Sequence, residues 1–266
     1  SDEDFGRVLD WLVGRDPIPR EDQRHAHFFL VARPTRPLPH LTLDLVRRHD
    51  FWEDFRAILS AAAQAVPPTK DGYGASLLSL TTSPARRLDG IALSDRLTYD
   101  RRPQAGERDP EGLHEVELAE TGEIRIFIGR LSDSGTPAFS NESEELLFDG
   151  WVPELVREGL SIAAEVSRRF DYRGPWALGV AMTGIGGLTV YSNARELTRA
   201  PRKIESTTDQ YRAWTHASGD ELTEIPGTLA EALVGRFLRA AGSEGKYLDG
   251  LLADPAKDSD VPSKDD

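Results

Sequence analysis

The sequence predicts an α+β fold in which helices pack on one face of a mainly antiparallel sheet. Three observations predict this class. Apolar residues recur at helical spacing in separate segments, short apolar runs bounded by Gly or Pro lie between them, and one stretch alternates apolar and charged residues around a glycine. With 39% apolar residues, a chain of 266 residues can bury a sizeable core. We expect one domain over residues 1–252, with halves at 1–132 and 140–252, and a disordered acidic tail at 253–266.

The first half is expected to begin with a helix, a buried strand and a second helix. The apolar face of the first helix consists of Phe5, Val8, Leu9 and Leu12. Gly14 is expected to end this helix in the left-handed conformation. The run HAHFFLVARP, residues 25–34, is typical of a buried strand. The second helix is expected to begin at Asp50, where Asp50 and Glu53 form a capping box.

A hairpin over residues 113–131, LHEVELAETGEIRIFIGRL, is the clearest β signal, with Gly122 in its turn. Its first strand alternates two apolar and two acidic residues: Val116, Leu118, Glu115 and Glu117. We therefore expect one face of the sheet to be apolar and the other to be largely solvated. The segments 75–82 and 90–93 are predicted as two further strands.

The second half is expected to contain a linker, a long helix and another strand. Residues 132–141 are predicted to be the linker, and Asn141 is expected to cap a helix over residues 142–170. The next strand is predicted over residues 175–182. One of its faces carries only small side chains, a pattern that continues to the residue after it: Ala177, Gly179, Ala181 and Thr183. We expect the helix over 142–170 to pack on this small face, and close approach of a ligand is the alternative.

The order of elements suggests an internal repeat. Residues 5–33 and 153–183 share the order helix, short link and apolar strand, which indicates a degenerate two-fold repeat of helix–strand units. The last predicted helix begins at Thr228 and ends at Gly242, which can adopt the left-handed conformation.

A glycine cluster in the stretch MTGIGGLTVY, residues 182–191, raises the question of nucleotide binding. A dinucleotide fingerprint requires its glycines between a strand and a helix, because the phosphate binds the free N–H groups of the first helical turn. Here a further strand is predicted to follow. We therefore interpret Gly184, Gly186 and Gly187 as a turn with positive φ, and keep them with Thr183 as candidate ligand-binding residues.

His25 and His27 are the candidate catalytic or metal-ligating residues. They lie two positions apart at the start of a strand, so both imidazoles can project from one face, as in many metal sites and in two-histidine phosphoesterases. Asp22 or Glu21 could complete a ligand set. The sequence lacks the second, matching histidine motif, so the alternative is two polar residues at the solvent end of a strand. We predict no metal and no cofactor.

Composition limits the classes of partner. The net charge of −13 opposes binding to nucleic-acid phosphates, although the arginine-rich segment 86–108 keeps that hypothesis open. The chain has no cysteine, which excludes disulfides and thiolate metal sites. No apolar run is long enough to span a membrane and no signal pattern opens the chain, so we expect a cytoplasmic protein without membrane contact. Of the five tryptophans, Trp151 is expected to be exposed.

Three segments together carry a family resemblance: HAHFFLVARP, GEIRIFIGRLSD and GPWALGVAMTGIGG. With the long helix that precedes the third segment, they resemble the region that follows the Schlafen-type, AlbA-like domain in actinobacterial proteins assigned as ATP-binding or DNA-binding. The resemblance covers most of residues 5–240. It implies an accessory module of a regulator or defence protein whose nucleotide-binding or nucleic-acid-binding element lies upstream of Ser1.

Two functions from different classes follow. The first is a non-catalytic accessory module for protein interaction or ligand sensing, whose partner is another protein, a second copy, or the upstream domain of the same chain. The second is a histidine-dependent or metal-dependent phosphoesterase that uses His25 and His27.

Overall fold

The computed structural model describes residues 2–36, 38, 40–66, 83–95, 112–136, 142–191, 203–204 and 209–247. The helices in these ranges are α1 (Asp2–Gly14), α2 (Leu43–Arg47), α3 (Phe51–Ala65), α4 (Trp151–Arg169), α5 (Glu221–Glu224) and α6 (Pro226–Ala241). The strands are β1 (His27–Pro34), β2 (Ser83–Arg86), β3 (Gly90–Asp95), β4 (His114–Ala119), β5 (Ile124–Ile128), β6 (Ser132–Gly135), β7 (Glu144–Leu147), β8 (Trp176–Thr183), β9 (Thr189–Val190) and β10 (Gln210–Ala217).

Seven strands form one sheet in the order β10-β8-β1-β5-β4-β3-β2, and every neighbouring pair in it is antiparallel. The predicted α+β class and the mainly antiparallel sheet are therefore confirmed. The strand β1 lies inside the sheet, where Leu30 is opposite Ile126 of β5 and Val180 of β8. A second, smaller sheet has the order β6-β7-β9, in which β7 and β9 are parallel.

One face of the large sheet, here called the core face, carries the main hydrophobic core. It presents Phe28, Leu30, Val116, Ile126, Leu178 and Val180, and the apolar sides of α3, α4 and α6 cover it. The helix α4 approaches the sheet closely at Gly159, where an added Cβ would lie 2.7 Å from a methyl carbon of Leu30. Because side chains alternate along a strand, the residues between these belong to the opposite face.

The helix α1 packs on that opposite face, here called the charged face. The expectation that the helices pack on one face of the sheet therefore holds for α3, α4 and α6 but is wrong for α1. Phe5 and Leu9 of α1 lie against the small face of β8, and a Cβ added to Gly179 would lie 2.7 Å from the Phe5 ring. The expectation that the helix over 142–170 covers this face is therefore wrong, since α4 lies on the core face. Close packing needs small side chains, which explains the small residues of β8.

The positions of α1 and α4 also bear on the proposed repeat. The strands β1 and β8 are adjacent and antiparallel, so a two-fold axis that exchanged them would stand perpendicular to the sheet and keep both helices on one face. Instead, α1 and α4 lie on opposite faces. The two helix–strand units are therefore not related by a two-fold axis.

The segment predicted as a linker and helix start is β-structure. Ser132–Gly135 and Glu144–Leu147 pair as β6 and β7, and the long helix begins only at Trp151. Leu146 and Leu147 are buried in this arrangement, and Thr189 of β9 donates a hydrogen bond to Glu144 over 2.6 Å. Burial and pairing with β9, which is distant in sequence, outweigh the local helical signal.

Several predicted helix ends also differ. Gly14 lies within α1 without positive φ, whereas Gly242 ends α6 with a φ of +69° as expected. Asp50 precedes α3, but its carboxylate bonds Arg48 and makes no cap. Thr228 lies inside α6, which begins at Pro226.

The predicted strand 75–82, Asn141 and the tail 253–266 lie outside the described residues. Within the described ranges, every helix is too short or too polar to cross a bilayer.

Candidate functional site

An ion-pair network, the Arg125 network, occupies the charged face beside α1. In β5, the Arg125 guanidinium donates to Glu117 Oε1 over 2.9 Å and to Glu123 Oε1 over 2.6 Å. It also contacts Asp89 Oδ2 at 3.1 Å. The side chains of Glu117 and Glu123 are both only 2% exposed. The expectation that this side of the hairpin is solvated is therefore wrong, although the hairpin with Gly122 in its turn is confirmed, and Gly122 has a φ of +82°.

The network shifts the pKa values of Arg125 and Asp89 in the direction expected of mutual stabilisation. Burial lowers the pKa of the Arg125 guanidinium, but the charges of Glu123, Glu117 and Asp89 outweigh burial and raise this pKa above its ordinary value. Burial raises the pKa of Asp89, but the charge and hydrogen bond of Arg125 outweigh it and hold this pKa below its ordinary value. Arg125 is therefore a fixed cation held by three carboxylates.

Two further ion pairs extend this polar layer. Arg33 Nε lies 2.6 Å from Glu123 Oε2, and Arg87 bonds the buried Glu115. Arg87 Nε and Ser94 Oγ, both buried, have no hydrogen-bond partner in the part of the chain that the structure describes. Burying these charged side chains costs desolvation free energy, which their ion pairs offset. Loss of one partner would leave the other charge buried and uncompensated.

A small cleft lies between the end of α1 and this layer. Its walls include Leu12, Phe29, Phe127, Glu117 and Arg125. The cleft encloses about 20 Å³, which accommodates about one water molecule. A pocket for a drug-sized ligand measures about 300–1,000 Å³, so this cleft is a gap in a packed interface.

Trp11 covers the outer side of the Arg125 network. Trp11 is 44% exposed, with Arg15 Cζ at 4.6 Å and Arg125 Cζ at 5.0 Å from the centroid of its ring. Leu88, next to Asp89 in the β2–β3 turn, is fully exposed. We name these five residues, Trp11, Arg15, Leu88, Asp89 and Arg125, the Trp11–Leu88 surface.

Sequence reasoning missed this surface. The expected exposed tryptophan, Trp151, is half-buried and stacks on Phe148 with ring centroids 4.8 Å apart, because it begins α4 against the core. The signal for Trp11 was present in the helical spacing. An indole outside the apolar face of an amphipathic helix has no core to enter, so exposure is its expected state.

The two candidate histidines are each held by a different carboxylate. The buried His27 has Nδ1 2.6 Å from Asp16 Oδ2, and Asp16 also accepts hydrogen bonds from Ile18 N and Gln23 Nε2. This arrangement fastens the α1–β1 connection to the start of β1.

His25 belongs to the junction between the two sheets. Its Nδ1 lies 2.7 Å from Glu145 Oε1, and Ser132 Oγ donates to the same oxygen over 2.6 Å. Asp22 and Glu21, proposed from sequence as further ligands, lie in a 3-10 turn before β1. Within the described ranges, no group of three or more His, Cys, Asp or Glu side chains is placed to hold a metal ion.

The glycine cluster forms a turn whose amides are already bonded. Gly184 N donates to Asp209 O over 3.0 Å, and Gly186 N donates to the Asp209 carboxylate over 2.8 Å. Gly187 N donates to Ile204 O over 3.1 Å. Strand β9 follows at Thr189, as expected from the sequence. A phosphate would have to displace the Asp209 carboxylate, which also repels it.

Two details of this turn differ from expectation or add to it. Positive φ occurs at Gly184 and Gly187, at +69° and +75°, but not at Gly186. The fourth candidate, Thr183, has a buried hydroxyl that makes no hydrogen bond with the described residues.

The arginine-rich segment 86–108 is described only as far as residue 95. In that part, Arg86 donates to the carbonyl oxygens of Val46 and Arg48, and Arg87 pairs with Glu115. Both arginines therefore make contacts within the chain.

Comparison of the chain with protein-family models, with curated proteins and with solved structures found no match.

Proposed function

We propose that this chain is a non-catalytic accessory module through which a larger cytoplasmic regulatory or defence protein contacts another protein. The observation that carries the proposal is the Trp11–Leu88 surface, where two guanidinium groups contact an exposed indole and one of them bonds Asp89, the residue next to a fully exposed leucine. The resemblance to the region after a Schlafen-type domain agrees with this role.

The composition of the Trp11–Leu88 surface is typical of an interface centre. Tryptophan and arginine are enriched among the few residues that dominate binding energy in protein complexes. Single exposed apolar side chains are ordinary on a protein surface. Here, however, Arg125 contacts both the Trp11 ring and the carboxylate of Asp89, the residue next to Leu88.

The Arg125 network favours binding by fixing the surface in advance. Ordering a long side chain at an interface costs about 0.5–1.5 kcal/mol. Three carboxylates already hold Arg125 beneath the Trp11 ring, so this side chain has little freedom left to lose.

The charges around the surface indicate the chemistry of the partner. Arg33 and Asp89, both about half-exposed, present opposite signs to solvent. A partner with an apolar centre and a rim of mixed charge fits this pattern. The net charge of −13 disfavours a nucleic acid, and the 20 Å³ cleft disfavours a small molecule at this position.

Site-specific photo-crosslinking in cells that naturally make the protein tests this proposal. A photoreactive amino acid is placed at Trp11, at Leu88, or at Trp52 as the matched control. Trp52 is 38% exposed and has Arg56 Cζ 5.8 Å from its ring, but it lies on α3 beyond the core face. We expect one protein to crosslink from positions 11 and 88 and not from position 52.

Binding with purified components completes the test. Against the crosslinked protein, the Trp11→Ala, Leu88→Ala double variant should bind roughly 30-fold more weakly, the effect of losing a single strong interface residue. Trp52→Ala should bind like the unmodified chain. Absence of a specific crosslink, or equal binding by the double variant, would overturn the proposal.

The phosphoesterase alternative makes a different prediction for the same purified chain. It requires stoichiometric metal, or hydrolysis of a phosphoester, that is lost when both His25 and His27 become alanine. Because each histidine bonds a different carboxylate, we expect neither property. Metal retained by the native chain and lost from the double histidine variant would contradict the non-catalytic proposal.

A further inference from the structure

The two outer strands of the large sheet differ in how they are protected. At one edge, β2 has four residues and contains Pro84. At the other, β10 has eight residues, Gln210–Ala217, without proline, glycine or lysine. Natural proteins protect sheet edges with short strands, prolines and lysines, because a long open edge can pair with another chain. By this criterion β2 is protected and β10 is not.

The hydrogen bonds next to β10 show which of its backbone groups face outward. Gly184 N donates to Asp209 O, so Asp209 forms a hydrogen-bonded pair with Gly184 just beyond the β10–β8 ladder. Such pairs alternate along an antiparallel ladder. The backbone groups of Arg212 and Trp214 therefore face away from β8. Consistently, Arg236 of α6 donates to the Arg212 carbonyl oxygen over 3.0 Å.

Trp214 is the open position of this edge. Its outward N–H and C=O have no hydrogen bond with any residue in the described ranges. Trp214 is 41% exposed, and its indole lies on the charged face next to Gly6 of α1. An unpaired amide and carbonyl beside an exposed indole form a short strand-pairing site.

We propose that two copies of this chain associate by antiparallel pairing of β10 with β10, with Trp214 of each copy opposite Trp214 of the other. Each Trp214 N–H then donates to the Trp214 carbonyl of the second copy. A two-fold axis perpendicular to the sheet keeps side chains on their own face, so the two indoles lie side by side on the charged face.

This register is favoured over the neighbouring one. Centring the pair on Ala213 would place Arg212 opposite Trp214 of the second copy and would require the Arg212 carbonyl, which Arg236 already occupies. Centring it on Trp214 forms the central pair from open groups, and the occupied Arg212 carbonyl lies only at the flanking pairs with His216 of the second copy. A single symmetric residue pair suits a second copy better than an extended peptide, which needs a longer row of open groups.

The net charge predicts how salt affects this association. Two chains of −13 repel each other, and added salt screens that repulsion. Backbone hydrogen bonds and indole contacts depend little on salt. The dimer should therefore become tighter as ionic strength rises, whereas a dimer held by surface ion pairs would become weaker.

Sedimentation velocity over a concentration series tests the proposal with the full chain. We expect a reversible monomer–dimer equilibrium for the unmodified chain and for Trp52→Lys, the matched control of similar exposure. Trp214→Lys should weaken the dimer roughly tenfold or more, since lysine on an edge strand opposes pairing. Trp11→Ala with Leu88→Ala should leave the dimer unchanged, which separates this test from that of the proposed function.

A second variant and a second measurement guard against simple misfolding. Trp214→Pro removes an N–H that β8 does not use, so circular dichroism should show a folded chain that no longer dimerises. Hydrogen exchange at the Trp214 amide should slow as the concentration of the unmodified chain increases. A monomer at all concentrations, a dimer unaffected by both Trp214 variants, or protection of this amide only by a different protein would overturn the proposal.

Discussion

The two faces of the large sheet are formed by the same strands, but the side chains buried on them are of different kinds. On the core face, Val116 and Ile126 join a continuous apolar core under α3, α4 and α6. On the charged face, their neighbours Glu117 and Arg125 are also buried but form an ion-pair network beside α1. Alternation in the sequence therefore separates apolar from charged residues here, but it does not separate buried from exposed residues.

Because of this difference, substitutions on the two faces should affect the stability of the fold in different ways. An apolar core tolerates a change of shape at moderate cost, because its contacts are many and nondirectional. A buried ion network depends on each partner, because removal of one charge leaves the others buried and uncompensated. The three predictions below test this contrast.

The largest effect is expected from removal of the central cation. Arg125→Leu leaves Glu117 and Glu123 buried without their main partner and should lower the free energy of unfolding by about 3–5 kcal/mol. The control on the core face, Ile126→Val, should cost only about 0.5–1.5 kcal/mol. Urea unfolding measures both values, and a loss below about 1 kcal/mol for Arg125→Leu would show that the charged face is effectively solvated.

A smaller effect is expected from filling the contact between α1 and β8. Gly179→Ala places a methyl group against Phe5 and Leu9 and should cost about 1–3 kcal/mol. Because α1 covers only the charged face, hydrogen exchange should show loss of protection concentrated in α1.

The matched change on the core face sharpens this prediction. Gly159→Ala also crowds the sheet, at Leu30, but it lies within α4, where alanine gains about 1 kcal/mol of helix propensity over glycine. Its effect should be smaller and spread over the whole core. Equal loss of protection throughout the chain for Gly179→Ala would contradict separate behaviour of the two faces.

The smallest effect concerns acid stability. The folded-state pKa of Asp89 lies below its ordinary value of 3.8, so its contribution to stability is present above that value and is lost as pH falls through the folded pKa. Asp89→Asn should therefore lose slightly less stability than the native chain between about pH 5 and about pH 2. Solvent screens this half-exposed group, so the change should be modest.

Urea midpoints measured across this pH range test the effect. Asp171→Asn, which alters an exposed carboxylate beside Arg173, serves as the control. An acid profile of Asp89→Asn that is indistinguishable from the native profile would show that Asp89 is not linked to the network.

Much of the fold follows from the sequence because periodicity records which side chains are buried together. The stripe of α1, the run of β1 and the Gly122 hairpin were all identified in this way. The face that α1 covers was not, because alternation in β8 predicts a small face but does not specify which helix fills it. The strand β7 was missed because it pairs with β9, which is distant in sequence, and β6 was missed because it pairs with β7.

The candidate site was less accessible to sequence reasoning. His25 and His27 were chosen for their spacing, yet their partners Asp16 and Glu145 come from other elements and give the histidines supporting roles. The Arg125 network combines three acidic residues from different turns and strands. Their proximity to Arg125 depends on the folded structure and is not visible in the sequence. Trp11 was detectable in principle, since it falls outside its helix's apolar face.

The interior position of β1 affects how the chain can fold. During synthesis β1 is made before β5 and can pair with it, but its other neighbour, β8, is made only after α4. Until then one side of a very apolar strand remains open, and contacts this distant in sequence form slowly. We expect the nascent chain to rely on chaperones during this interval, and truncations before β8 to aggregate.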